Sequence, residues 1–296
     1  MKIKIITSYK PGTWETFAKR GIHSMAEQFP DNVDIVLYCE EPKPKDVHSR
    51  IKCVDLIQAE PKLFEFKNKY KNDPVANGKT TPIPNGVRRS DKIEGLDKNN
   101  ESFLWDAVRF SNKVFCVINA VRNSTAYDYV VWLDADTYTF RPVPKKFLPG
   151  LLPKETMLTY LGREHPTLGD GGVYPECGFV GYNLAHPEIQ NFVNDWEKLY
   201  STGDVFKILE WHDSYVFWHL SKIYREQKNI LVNDIGYWKG VKGHHVFVNS
   251  ELALYIDHFK GKRKRKRTSA RNDFRANPNS TLQLDKIDYW KKVPPS

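Results

Sequence analysis

The sequence predicts an α/β protein: a mixed, mostly parallel sheet flanked by helices, in a single domain at 1–261 with a basic tail at 262–296. Two observations carry that prediction. Apolar runs of strand length alternate with amphipathic helical stretches at short spacing, an order that right-handed crossovers turn into parallel pairing. The strongest run, Tyr129–Leu133, is followed at once by Asp134 and Asp136, two carboxylates one residue apart. In open α/β sheets, ligands bind beyond the carboxyl ends of the strands.

Ile3 to Tyr9 reads as the first strand. Pro11-Gly12-Thr13 is a turn that can cap the helix from Trp14 to Phe29, and Pro30 stops that helix. Val33 to Tyr38 and Ile51 to Ile57 read as the second and third strands. Residues 71–100 are rich in Asn, Asp, Gly, Pro and Lys, keep no period, and are expected to form a long surface loop. From Ser102 onward Phe103, Ala107, Phe110, Val114, Val117 and Val121 mark one apolar helix face, with Arg109 and Lys113 one turn apart on its flank. This helix feeds the strand that ends at the two aspartates. A second helix follows His186-Pro187, with Ile189, Phe192, Val193, Trp196, Leu199 and Tyr200 on one face and Gly203 past its end. A third starts near Asp213 and buries Val216, Phe217, Leu220 and Ile223. Glu251 to Phe259 reads as a late strand, and the polar, basic stretch from Lys262 to Ser280 as a mobile tail.

With 45 Lys+Arg against 36 Asp+Glu the formal charge is +9, and much of the excess sits in Lys260–Arg267. The rest is close to balanced, so the body is not a general polyanion binder and no specific nucleic acid is expected. Cys39, Cys53, Cys116 and Cys177 are too widely spaced for a metal-binding doublet and read as free thiols of a reducing compartment. Met1–Ile6 is too short and interrupted for a signal peptide, and no stretch approaches the ~20 apolar residues of a membrane span. The expected location is cytoplasmic.

Side chains at i and i+2 of an extended chain point the same way, so Asp134 and Asp136 can converge. Two like charges held that close call for a cation, and oxygen ligands suit Mn²⁺ or Mg²⁺ together with substrate phosphates. Far downstream stands His258-Phe259-Lys260-Gly261-Lys262-Arg263-Lys264. A neutral imidazole at a strand end is a good third ligand, Gly261 lets the backbone approach a phosphate, and the lysines neutralise it.

Together the two motifs resemble the GT-A glycosyltransferases, and more narrowly the glycogenin/galactosyltransferase-like group, family 8. That group carries Asp-x-Asp after an apolar strand and, near its C-terminus, His-Phe-x-Gly-x-x-Lys, which His258, Phe259, Gly261 and Lys264 match. The family motif continues with Pro-Trp, where Arg265-Lys266 stand here. The resemblance implies a Rossmann-like GT-A fold and transfer of a hexose from a nucleotide-diphosphate sugar, UDP-linked by preference. The acceptor, a glycan, protein or lipid, is left open. It implies a metal held by Asp134, Asp136 and His258, with Lys264 on the donor diphosphate. By position it places Thr7, Ser8 and Tyr9 at the nucleotide, Arg109 or Lys113 toward the donor, and Glu176, Cys177 and Gly178 on a donor-facing strand. Asp213, opening a helix, is the catalytic candidate. It would position donor hydroxyls, as in the family's retaining chemistry, or act as general base and invert.

Other readings compete. Asp134 could be the nucleophile of a haloacid-dehalogenase-like phosphatase, whose Asp-x-Asp-x-Thr motif normally ends the first strand; here three strands precede it, and Gly169-Asp170-Gly171-Gly172 follows too soon to be that fold's later acidic motif. The run 262–267 could lead a polyanion binder, or serve as an accessory that meets an anionic acceptor or membrane surface. Asp213 could be only a helix cap, Lys113 only a solvated flank, and Glu176-Cys177-Gly178 a plain turn into a strand. Cys177 lacks a nearby base that would make it a nucleophile, and the doublet His244-His245 could bind metal or lie in a loop.

Overall fold

The computed structural model describes residues 1–80, 103–163, 174–236, 245–261, 263–266 and 268–274. Gly169–Gly172, His244, Lys262 and Arg267 lie outside it, as does most of the loop expected at 71–100.

Its centre is a seven-stranded sheet built from β1 (Ile3–Ser8), β2 (Val33–Cys39), β3 (Ile51–Asp55), β4 (Tyr129–Leu133), β6 (Leu158–Leu161), β7 (Glu176–Asn183) and β8 (Val232–Asp234). The strand order is β3-β2-β1-β4-β7-β6-β8. The pairs β3/β2, β2/β1, β1/β4 and β6/β8 are parallel, while β7 runs antiparallel to both neighbours. A separate two-stranded ladder joins β5 (Thr137–Thr139) to β9 (Ile256–His258). The fold is thus mixed α/β with a mostly parallel sheet, as its alternating runs predict.

Successive strand residues face opposite sides, and this alternation splits the core in two. Ile6, Val36, Tyr38, Val130 and Trp132 pack on one face against α3 (Pro61–Tyr70), α4 (Ala107–Arg122), α6 (Ile189–Ser201) and α7 (Asp213–Gln227). Ile3, Ile5, Ile35, Leu37, Val131 and Leu133 pack on the other, against α1 (Lys19–Gln28), the short α5 (Phe147–Leu151) and the turns around Phe247 and Leu252. Every residue of β4 is buried, the mark of a strand covered on both faces.

Local chemistry sets the ends. Asp106 caps α4 by accepting the Arg109 N–H, and Asp55 caps the short α2 (Leu56–Ala59) through Gln58. The guanidinium of Arg50 donates to the carbonyls of Ala26, Phe29 and Pro30, satisfying the C-terminal end of α1 that has no intrahelical partner. Gly203 follows α6 with φ +81°, a conformation that favours glycine.

Two expectations are corrected. Glu251–Phe259 is not one strand: a tight helical turn, Glu251–Leu254, precedes β9. It buries Leu252 and Ala253 while Ala253 N–H bonds Ser250 O, and so short an apolar run has no period to tell turn from strand. The segment expected to be a mobile tail also packs where it is described. Residues 263–266 form the helical turn α8. Ser269 Oγ donates to buried Asp257 at 2.5 Å, Arg271 donates to Ala253 O, and Ala270 is buried against Val248 and Ala253. None of the described helices is long and apolar enough to cross a membrane.

Candidate active site

From β1 the chain order runs to β2 on one side and to β4 on the other, so a crevice opens between the carboxyl ends of β1 and β4. The cleft there is lined by Ser8 and Tyr9 from the end of β1, Glu40 from the end of β2, Arg109 and Lys113 from α4, Asp134 and Asp136 after β4, Asp213 and Lys264.

The two aspartates do not converge as neighbours on an extended strand. The chain turns after Asp134, with the N–H and the hydroxyl of Thr137 both donating to Asp134 O, at 3.0 and 2.8 Å. The turn feeds β5, and the β5/β9 ladder sets Thr137 opposite His258. Phe259 N–H then donates to Asp136 O at 2.9 Å, and Asp134 N–H to Gly178 O at 3.0 Å. Residues more than a hundred positions apart are therefore locked together by backbone bonds.

His258 Nε2 lies 3.2 Å from Asp136 Oδ1 and 3.7 Å from Asp134 Oδ2. Burial pulls the imidazole down, but Asp136, Glu176 and Asp134 together hold it above its ordinary value. Lys264 Nζ stands 2.6 Å from the other oxygen of Asp136. Burial would raise the Asp136 carboxyl; His258 and Lys264 hold it well below the usual range. Glu176 opens β7, is buried, and takes Arg163 at 2.5 Å and Lys260. Against burial, those two cations and His258 keep it ionised.

Ligand atoms of Asp134, Glu176 and His258 all lie within 4.8 Å of one another. The triad expected from sequence was Asp134, Asp136 and His258. The fold adds Glu176 to it and ties Asp136 to His258 and Lys264. Two carboxylates and an imidazole whose Nδ1 has no hydrogen-bond partner form a donor set able to hold a metal ion.

Lys113 joins the two halves of the site. Its ammonium lies 3.1 Å from Asp134 Oδ1 and 2.7 Å from Asp213 Oδ2, and donates to Cys177 O at 2.6 Å. Burial lowers its pKa, yet the two carboxylates hold it well above the ordinary lysine value. It is not a solvated flank. Asp134 Oδ1 also accepts Trp132 Nε1 at 2.6 Å, which fixes the carboxylate's rotamer. Asp213 is the first residue of α7; burial raises its pKa, and Lys113 and His212 more than offset that.

The remaining expected residues divide. Ser8, Tyr9 and Arg109 line the cleft, whereas Thr7 is wholly buried within β1 and does not reach it. Cys177 offers its carbonyl to Lys113, and burial pushes its thiol far up. Gly178 packs directly beneath His258: a Cβ there would meet the imidazole Cε1 at 2.8 Å. Gly261 has φ +66°, which favours glycine, and open space where a Cβ would stand.

Sequence reasoning missed Glu40, Asn112, Arg163 and the third donor role of Glu176. Glu40 was within reach, since it ends the second apolar run just as Ser8 ends the first. His245 is buried beside His258, ring centroids 5.2 Å apart, with neither nitrogen partnered; burial and His258 push its pKa down to about 3.

No family model matches the sequence, and no curated protein matches it. Among solved structures the chain is similar to a glycosyltransferase involved in the glycosylation of the major capsid of PBCV-1. That likeness has a TM-score of 0.44 and 10% identity over 90% of this chain and 100% of that one. It is also similar to mouse xyloside xylosyltransferase 1, apo form, with a TM-score of 0.44 and 11% identity over 78% and 83% of the two chains. The case for a function stands on the side chains around Asp134.

Proposed function

We propose that the protein is a metal-dependent glycosyltransferase that moves a sugar from a nucleotide-diphosphate donor, UDP-linked by preference, to a hydroxyl of an acceptor glycan, protein or lipid. The observation that carries this reading is the convergence of Asp134, Glu176 and His258 on one spot, with Lys113, Lys264 and Arg109 around the same cleft. Carboxylates beside lysines suit a ligand that is itself a metal–diphosphate pair.

Asp134 and His258 would hold the ion, with Glu176 and Asp136 beside them. When bound, a divalent cation supplies Lewis-acid stabilisation of the leaving diphosphate. The chain's own groups do the rest. Lys264, 2.6 Å from Asp136, is placed to turn toward a phosphate oxygen, and Arg109 adds a second positive group on the α4 wall. Removing one such preorganised contact typically costs about 10²–10³ in rate. Asp213, ion-paired and held below its ordinary pKa, is a weak base. That supports orienting the donor sugar's hydroxyls over deprotonating an acceptor, and so favours retention. Lys113 bridges Asp134 and Asp213 and keeps them at fixed separation. A phosphatase nucleophile fits less well, because Asp134 follows the fourth strand and both Lys113 and Trp132 already bond its Oδ1.

The test is a thermal-shift panel of UDP-, GDP-, CDP- and ADP-linked sugars with and without Mn²⁺. A ligand at ~100 times its Kd adds about 2.7 kcal/mol. The expected result is a shift that needs both Mn²⁺ and one nucleotide and vanishes in Asp134→Ala/Asp136→Ala. No shift with any donor refutes the proposal.

A further inference from the structure

We propose that Glu40 is the nucleoside-reading residue of this cleft, its carboxylate accepting hydrogen bonds from the ribose 2′,3′-diol of a nucleoside diphosphate. The proposal rests on the donor reading above and extends it to a residue outside the carboxylate–histidine cluster.

Glu40 directly follows β2 and lines the cleft. The carboxylate is built into place. Oε1 accepts the Ser8 hydroxyl at 3.3 Å, and Oε2 accepts the Asn112 amide at 2.5 Å. Asn112 is oriented in turn by Lys67, which donates to its side-chain oxygen at 2.9 Å. A polar chain through α3, α4 and β1 thus sets the direction of one carboxylate, although no packing or ion pair requires a charge there. Among the described residues no lysine, arginine or histidine lies within ion-pair distance of it. Burial is the main influence on it and pushes its pKa up to about 7.

In its ionised form, populated above pH 7, the Glu40 carboxylate accepts hydrogen bonds only, and each oxygen keeps a free lone pair after Ser8 and Asn112 are counted. Its ligand must therefore bring donors, and must not bring phosphate. Within a nucleotide whose diphosphate lies toward Lys113, Lys264 and the metal-binding triad, the neighbouring donors are the ribose hydroxyls. An acidic residue at the end of the second strand of a parallel βαβ unit is in the same relation to a ribose in dinucleotide-binding folds. A single carboxylate flanked by an amide and a hydroxyl is, by contrast, a poor metal set.

The experiment is calorimetric titration, in Mn²⁺, of UDP, GDP and their 2′-deoxy counterparts into the full chain, Glu40→Gln and Glu40→Asp. Methylenediphosphonate serves as the nucleoside-free probe. For the nucleotide that binds, the wild-type protein should prefer the ribo form about tenfold to a hundredfold, the span of a hydrogen bond to a charged group. Glu40→Gln should lose that preference while binding methylenediphosphonate unchanged, and Glu40→Asp, with the carboxylate retracted, should fall between. A Glu40→Gln protein that still discriminates ribo from deoxy as the wild type does overturns the assignment and leaves the donor site standing. An equal loss for ribo and deoxy forms overturns the diol in favour of a base contact. If the wild type binds methylenediphosphonate but neither nucleotide, the nucleoside assignment falls. If it binds none of the three, the donor reading falls as well.

Discussion

Gly178→Ala tests whether the site depends on the closeness of two elements that the chain brings together from far apart. An alanine Cβ at this position would stand 2.8 Å from His258 Cε1 and 3.1 Å from Nδ1. Ordinary contact begins near 3.4 Å, so the imidazole must retreat by about 0.6 Å. It has little room to do so. Phe247 and His245 pack on the ring with centroids 5.0 and 5.2 Å away, and Phe247 Cδ2 itself lies 3.4 Å from the new Cβ. Overpacking of this kind costs about 1–3 kcal/mol. Metal ligation tolerates displacements of about 0.2 Å, so the same shift should weaken Mn²⁺ binding by roughly tenfold to a hundredfold. Gly181→Ala is the matched control. It sits on the same strand, but its Cβ would meet the tip of Leu152, 2.5 Å away, and not the imidazole. The assay is an electron paramagnetic resonance titration of free Mn²⁺ beside thermal melts of both variants. Both should lose stability, and only Gly178→Ala should lose metal affinity. Wild-type Mn²⁺ affinity in a folded Gly178→Ala protein, or an equal loss in Gly181→Ala, refutes the reasoning.

Three further outcomes follow from the same geometry. Lys113→Met leaves buried Asp213 and half-buried Asp134 without their shared cation, and should cost about 3–5 kcal/mol in denaturant unfolding; a loss below 1 kcal/mol would mean that solvent already reaches the pair. Glu40 has a raised folded-state pKa, so the folded protein binds its proton more tightly than the unfolded chain does. Its burden on stability therefore grows as pH rises from the unfolded value near 4.3 to about 7, then stays level. Glu40→Gln should melt progressively higher than wild type over that window, and a pH-independent difference would contradict the shift. Arg50→Ala strips the donors from the end of α1 and should cost about 1–3 kcal/mol while leaving Mn²⁺ affinity unchanged, read from melts and titration together.

The sequence by itself determined the elements with strong local signals. The apolar runs of β1, β2 and β4, the α4 face from Ala107 to Val121, and the helices opening at Ile189 and Asp213 all follow from side-chain spacing, which is a property of neighbours along the chain. The same holds for Asp134, Asp136, His258 and Lys264 as residues of interest, because each motif is contiguous. What only the tertiary structure decided is which groups meet. Lys113 sits between Asp134 and Asp213 because α4 passes where the carboxyl end of β4, the amino end of β7 and the start of α7 meet, and no spacing rule couples those three positions. Glu176 joins His258, and Glu40 joins Ser8 and Asn112, through strand order. Thr7 is lost to the cleft because it lies inside β1, wholly buried, whereas Ser8 and Tyr9 stand at and past the end of the strand. Periodicity reports which face a side chain is on; only the packed sheet decides what that face opposes.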